Sequence, residues 1–269
     1  MKLHFFKYQG AGNDFVILDD RKNRTTLSAG RIAHLCNRRF GIGADGLMLL
    51  QSTPGADFKM VYFNSDGNES TLCGNGARCI AAFAYHQGIV GRSMEFMAID
   101  GLHKAIVLDD GTVALHMQNV AEILFEDEAT ILNTGSPHYV QWVNDVSHID
   151  VYGNGRKIRY SGRFGDKGIN VNFVSNMDDG IAIRTYERGV EDETLACGTG
   201  VTAAAIASVG KQTGMFEVPV KAQGGHLQVT FEKKTTDSAE HIVLTGGAAF
   251  VFEGSVVVNA LHDEVMPLS

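Results

Sequence analysis

A four-residue signature occurs twice in this chain, as Cys73-Gly74-Asn75-Gly76 and as Cys197-Gly198-Thr199-Gly200, at a constant offset of 124. The match continues on both sides, with Glu69 to Ala82 running against Glu193 to Ile206. Further upstream, Gly12-Asn-Asp-Phe-Val16 pairs loosely with Gly135-Ser-Pro-His-Tyr-Val140 if one residue is inserted. Self-similarity over this span points to an old duplication, so the fold must be one that a half-length unit can build twice. Alanines at 77, 81, 82 and 84, and again at 203, 204, 205 and 207, make the segment after each signature slim and apolar nearly all round. A helix of that kind is expected inside a curled sheet rather than on a surface.

The surrounding pattern supplies the sheet. Alternation and β-branched runs predict strands near 3–9, 14–19, 58–64 and 94–100, then a hairpin over 103–117 turned at Asp109-Asp110-Gly111. Helical spacing covers 28–39 and 75–87. In the second half strands are predicted near 139–144, 170–175, 180–187, 216–221, 226–232, 241–245 and 248–258, with a helix at 199–209. Gly88 and Gly210 stand where each signature helix needs a left-handed cap. The reading is an α/β (α+β) fold of two pseudo-symmetric halves, each a mostly antiparallel, barrel-like sheet around a central helix. The division falls at 1–117 and 118–254, and no linker marks it. The halves are expected to pack tightly with the ligand between them.

Composition removes several function classes. The formal charge is −8 and no Lys/Arg run breaks the pattern, so nucleic acid and anionic membrane are not expected partners. No apolar stretch approaches the roughly 18 residues of a membrane span, and MKLHFFKYQGAGND reaches a Gly/Asn/Asp cluster before a signal-peptide core can form. The expected location is the cytoplasm. Four cysteines with no C-x-x-C pair fit neither a disulfide framework nor a zinc site, so no metal is expected.

A thiol at the mouth of a helix is acidified by the amides and the positive dipole end, which also attract a carboxylate. Most cysteines are small buried hydrophobes, and Cys36 and Cys79, which lack the glycine context, are read that way. Cys73 and Cys197 are read as a functional pair. Two matched thiols suit inversion of an acidic C–H beside a carboxylate: one thiolate removes the proton from one face and one thiol returns a proton to the other.

Seven segments then carry a likeness: Gly10-Ala-Gly-Asn-Asp-Phe-Val16, Gly41-Ile-Gly-Ala-Asp-Gly46, Phe63-Asn-Ser-Asp-Gly67, Cys73 to Cys79, Ser136-Pro-His138, Asn170-Val-Asn-Phe173, and Tyr186-Glu-Arg-Gly-Val190 leading to Ala196-Cys-Gly-Thr-Gly200. In order and spacing the chain resembles the diaminopimelate epimerases over essentially its whole length. The resemblance implies a cofactor-independent epimerase that interconverts LL- and meso-2,6-diaminopimelate on the route to lysine and peptidoglycan. It implies a homodimer, and a last strand, about 255–269, that returns to the first half. Cys73 and Cys197 match the acid/base thiols. Gly74, Asn75, Gly198 and Thr199 match the positions that hold the reacting carboxylate. His138 and Glu187 match polar partners of the amine and thiols, and Asn13, Asn64, Asn170 and Arg188 match the grip on the distal amino-acid end. Arg78 reads as structural and receives no role.

Two positions depart from the family pattern: Gly46 stands where many members have Gln, and Ser136 where many have Asn. Both lie among family substrate contacts, so water or another residue is expected to complete those hydrogen bonds. Three rival readings stand beside this one. A proline or hydroxyproline racemase of the same architecture is opposed by Asn75, where that subgroup tends to carry His. A thiol hydrolase with His138 as base leaves one of the two signatures unexplained. A redox sensor would pair the two cysteines.

Overall fold

The computed structural model of the chain describes residues 1–70 and 73–258. Two compact units emerge: Met1–Leu115 together with the segment that begins at Gly247, and His116–Gly246. The first unit opens with β1 (Lys2–Gly10), β2 (Asn13–Asp20), α1 (Ala29–Cys36), β3 (Gly46–Gln51) and β4 (Phe58–Asn64). It continues with α2 (Gly74–His86), β5 (Ser93–Ala98), β6 (Gly101–Val107) and β7 (Val113–His116). The second unit holds β8 (Ile123–Phe125), β9 (Thr130–Asn133), β10 (Pro137–Trp142), α3 (Val151–Arg159), β11 (Asn170–Met177) and β12 (Gly180–Glu187). There follow β13 (Asp192–Thr194), α4 (Gly198–Ser208), β14 (Gly214–Ala222), β15 (Gly225–Lys233) and β16 (Glu240–Gly246). Finally β17 (Ala249–Val257) pairs with β1 in the first unit. The strand implied at about 255–269 lies mostly outside the described residues.

The duplication is written in the strand pairing. In the first unit the order β17-β1-β2-β3-β4-β5-β6-β7 reads antiparallel, antiparallel, parallel, antiparallel, parallel, antiparallel, antiparallel. The order β8-β9-β10-β11-β12-β14-β15-β16 in the second unit repeats that series step for step. Parallel neighbours need a crossover, and each of the four parallel pairs has its helix: α1 and α2 in the first unit, α3 and α4 in the second. Even the short β13 has a counterpart, since Tyr186 pairs with Glu193 as Phe63 bridges to Glu69.

α2 is buried at every position from Gly74 to Ala84 and packs on β1, β2, β3, β6 and β17. α4 is buried continuously from Gly200 to Ala207, against β9, β10, β11, β12, β14 and β15. Each is thus the central helix of its unit, and small alanine side chains let the strands approach it. Both end at glycines with positive φ, Gly88 at 65° and Gly210 at 56°. At the other end Cys73 and Cys197 occupy the extended residue just ahead of the first helical turn. Among the described residues no helix is long and apolar enough to cross a membrane.

Five elements, β3, β8, β9, α3 and β13, lie outside the sequence pattern, and for two of them the reason is visible. α3 carries Gly153 and Gly155, which depress helix propensity. Gly155 is required there, because a Cβ would stand 2.4 Å from the Tyr186 side chain, and the Asp150 carboxylate caps the helix at Gly153 N–H. β3 is a short apolar run, Gly-Leu-Met-Leu-Leu-Gln, with no period to separate strand from helix. Helix α1 is also shorter than expected, ending at Cys36 rather than 39.

Candidate active site

In the first unit the site is built on the start of α2. The first intrahelical bond runs from Ala77 N–H to Cys73 O at 2.7 Å, so the amides ahead of it face out of the helix end with the positive pole of the dipole. Cys73 is half-buried there. The Asn75 carboxamide donates to Asn13 Oδ1 at 2.6 Å, and Asn13 donates in turn to Asp45 at 3.0 Å. Asn13 is positioned by the tight turn Ala11-Gly12, with φ of 50° and 86°, which joins β1 to β2. Asp14, next in line, is ion-paired to Lys7 at 2.8 Å and Arg38 at 2.7 Å. Burial opposes its charge, but those two cations hold its carboxyl well below the usual carboxylate range.

Gly46 faces Asn64 across the β3–β4 ladder. A Cβ at residue 46 would meet Phe63 O and the Tyr62 ring, each at 2.5 Å, and the Tyr62 hydroxyl at 3.0 Å. The glycine that departs from the family pattern therefore makes room for Tyr62, a residue that sequence reasoning missed. Asn64 closes β4 at the turn where its backbone bonds Asn68 and Gly67.

A second network surrounds Cys197. The Val201 N–H to Cys197 O bond, at 2.8 Å, repeats the geometry of α2. The Asn172 carboxamide donates to Tyr139 O and to His138 Nδ1, both at 3.1 Å, while its oxygen accepts from Thr185 at 3.0 Å. Because the carbonyl of Tyr139 can only accept, the amide orientation is fixed, and Nδ1 of His138 must be an acceptor. The imidazole proton then sits on Nε2 and is donated to Ser136 Oγ at 2.9 Å.

Asn170 donates to Ser136 Oγ at 3.1 Å and to Pro137 O at 3.0 Å, and accepts from Arg188 N–H at 2.8 Å. With two donors already on its oxygen, Ser136 gives its own proton to Thr199 Oγ1 at 3.0 Å. The Thr199 proton is thereby directed at Cys197 Sγ, 3.4 Å away. Cys197 also shares a hydrogen bond with the Glu187 carboxyl, which accepts from Thr194 Oγ1 at 2.8 Å. Burial raises the Glu187 pKa against both of those hydrogen bonds. Cys197 thus has a hydroxyl and a carboxyl as hydrogen-bond partners.

His138 is fully buried, and burial pushes its pKa down to about 3. It is a neutral, fixed member of the network. Both ring nitrogens are engaged, by Asn172 and Ser136, so it does not act as base to either thiol as the hydrolase reading requires. Arg188 is held by its backbone at Asn170, with its guanidinium on Lys167 O at 3.2 Å. Gly200 is obligatory for packing, since a Cβ would stand 2.5 Å from Asn172 Oδ1. Asn172 was missed at the sequence level, although its spacing of two from Asn170 puts both on one face of β11.

The remaining thiols match their expected packing role. Cys36 sits in the apolar cluster of Phe5, Val16 and Leu47, where burial pushes its pKa up to about 12. Cys79 is fully buried in α2 and is likewise pushed up.

Solved structures share this architecture. A phenazine biosynthesis protein of the PhzF family from Bacillus anthracis superposes with a TM-score of 0.73 at 16% identity, covering 96% of this chain and all of that one. A hydroxyproline epimerase from Agrobacterium vitis gives 0.66 at 16% identity over 98% and 96%. At such identities the likeness is one of fold. Sequence is more specific. The profile described as diaminopimelate epimerase matches residues 5–123 and 130–251. The diaminopimelate epimerase of Flavobacterium psychrophilum is 50% identical over 264 residues, 95% of this chain and 100% of its own. That of Aquifex aeolicus is 41% identical over 283 residues, 97% and 100% of the two chains.

The chain is an isomerase of the amino-acid racemase and epimerase class, acting on a small molecule. It belongs to the diaminopimelate epimerase family.

Proposed function

We propose that the chain interconverts LL- and meso-2,6-diaminopimelate by a two-thiol proton transfer at one α-carbon, with no organic cofactor or metal. The observation that carries the mechanism is the repetition of a cysteine just ahead of a buried central helix, at the same step of the same strand series in both units. One cysteine, as thiolate, takes the α-proton and becomes a thiol. The other, a thiol, delivers its proton to the opposite face of the carbanion and becomes a thiolate. One proton leaves and one arrives, so the substrate inverts and the two sulfurs exchange states.

Charge that builds on the reacting carboxylate is stabilised by the outward amides of Gly74, Asn75, Gly198 and Thr199. Glu187 and His138 support the amine and the second thiol. Asn13, Asn64 and Arg188 read the distal amino-acid group, with Asn170 holding the Arg188 backbone and Tyr62 filling the space left by Gly46. The fitting setting is lysine and peptidoglycan precursor synthesis in the cytoplasm, by a homodimer.

The test is incubation of the reduced protein with LL-diaminopimelate in deuterium oxide, beside Cys73→Ala and Cys197→Ala variants. Meso product carrying solvent deuterium at the inverted carbon, lost in either variant, is the expected result. Unlabelled substrate from folded, reduced protein would overturn the assignment.

A further inference from the structure

The two halves repeat each other closely around the thiols, and one difference between them is a charge. Five residues after Cys73 stands Arg78; five residues after Cys197 stands Thr202. Both side chains turn back to the carbonyl at the start of their helix, Arg78 Nη1 to Gly74 O at 3.3 Å and Thr202 Oγ1 to Gly198 O at 2.9 Å. Arg78 also donates to Asn75 Oδ1 at 2.7 Å. Its guanidinium is fully buried and its Nε has no hydrogen-bond partner. Among the described residues no carboxylate lies within ion-pair reach of it.

A cation in that position is doubly disfavoured. It is removed from water, and it lies at the positive end of α2. Such a charge persists where an anion accompanies it. Two thiols are near enough to interact electrostatically with it, Cys79 and Cys73. Burial of Cys79 opposes its ionisation. Cys73, half-buried and at the helix mouth, remains as the group that can carry the charge. At Cys197 the balance is reversed, because the neighbour is the acidic Glu187 and the residue matching Arg78 is a neutral hydroxyl.

We infer that Arg78 is a positioning residue that fixes the resting ionisation of the pair, with Cys73 the thiolate and Cys197 the thiol. The inference rests on the two-thiol reading above. It makes the duplicated site electrostatically unequal before substrate arrives. Other titratable groups on the elements packed against α2 are already engaged. Asp14 on β2 is tied to Lys7 and Arg38, and His103 on β6 to Asp100. Tyr8 on β1 bonds His86 at the far end of the helix, and burial, with Cys79 and Glu253 of β17, raises its pKa to about 12.

The experiment is the pH dependence of iodoacetamide alkylation, resolved by peptide mass spectrometry, on the full chain. In the wild type Cys73 should reach its alkylation plateau at lower pH than Cys197. In Arg78→Met the Cys73 curve should move up by about one pH unit or more, a loss of about tenfold in rate on the low-pH side, with Cys197 unmoved. Arg78→Lys should recover part of the shift. Thiolate ultraviolet absorbance at neutral pH supplies a second readout that needs no change at Arg78: it should vanish in Cys73→Ser and persist in Cys197→Ser. A lower titration at Cys197, or persistence of the absorbance in Cys73→Ser, overturns the inference. So does an unmoved Cys73 in folded Arg78→Met. These readouts do not depend on turnover, so a failure of the epimerase assay would be recognised separately.

Discussion

Ser136 and Thr199 are joined hydroxyl to hydroxyl across 3.0 Å, in the place where the first unit joins Asn13 to Asn75 by carboxamides. The hydroxyl pair is directional: His138 and Asn170 fill the acceptor capacity of Ser136, and the last proton points at Cys197. Replacing Thr199 by Val should therefore lower kcat/KM by roughly tenfold, the worth of one hydrogen bond to a charged or charging group. Thr199→Ser, which keeps the donor, should stay close to wild type. Steady-state kinetics in both directions would decide it, and a loss in Thr199→Ser with Thr199→Val close to wild type would mean that the methyl rather than the proton matters.

His138 offers a spectroscopic test of the same network. Burial without a charged partner favours the neutral ring, and the folded-state pKa of about 3 places its titration below the ordinary histidine range. Its ring resonances should stay unchanged between about pH 5 and 8, with the proton on Nε2. A midpoint near 6.5, the ordinary value, would show that the ring is hydrated and the relay broken.

The thiols, the helices that carry them and the duplicated sheet were legible in the sequence because each rests on a local pattern: glycine at fixed offsets, alanine on every face, alternation in strands. The relay was not. Its members come from β10, β11 and the start of α4, and only the parallel register of His138 on Asn170 brings them together. Ser136 is a departure visible in the sequence, and the structure shows what the short hydroxyl does there: it reaches both His138 and Thr199. Arg78 reads from sequence as structural and without a role, because a lone arginine in an apolar helix has no pattern that distinguishes a buried countercharge from a solvated one. The family resemblance implies a grip on substrate for Asn170; in the structure both of its amide protons and its oxygen are engaged by Ser136, Pro137 and Arg188.

Gly46 should tolerate no side chain. Gly46→Gln places a Cβ 2.5 Å from both Phe63 O and the Tyr62 ring, and a backbone oxygen cannot rotate away. A loss of about 1–3 kcal/mol in a urea unfolding curve is expected. Adding Tyr62→Ala should return only part of it, because the Phe63 clash remains. Full recovery would place the whole conflict in the tyrosine ring.

Asp14 ties the stability of the fold to acid. Lys7, almost fully buried, sits 2.8 Å from this carboxylate and also donates to Gly43 O, while Arg38 reaches it from a more exposed position. These partners depress the folded-state pKa below its unfolded value. A carboxyl shifted in that direction binds fewer protons folded than unfolded, so its contribution is whole above the ordinary Asp range. It is lost as pH falls from about 4 through the depressed folded value. Lys7→Met removes the closest buried partner and leaves Arg38, which is largely solvent-screened. At neutral pH the variant should be less stable by about 1.5–3 kcal/mol, the worth of one hydrogen bond to a charged group, because Arg38 still pairs with the carboxylate. Urea midpoints measured along a descending pH series should converge for wild type and variant as Asp14 protonates in both. A gap that stays constant to the lowest pH would assign the loss to the Gly43 hydrogen bond and to packing instead of to the ion pair.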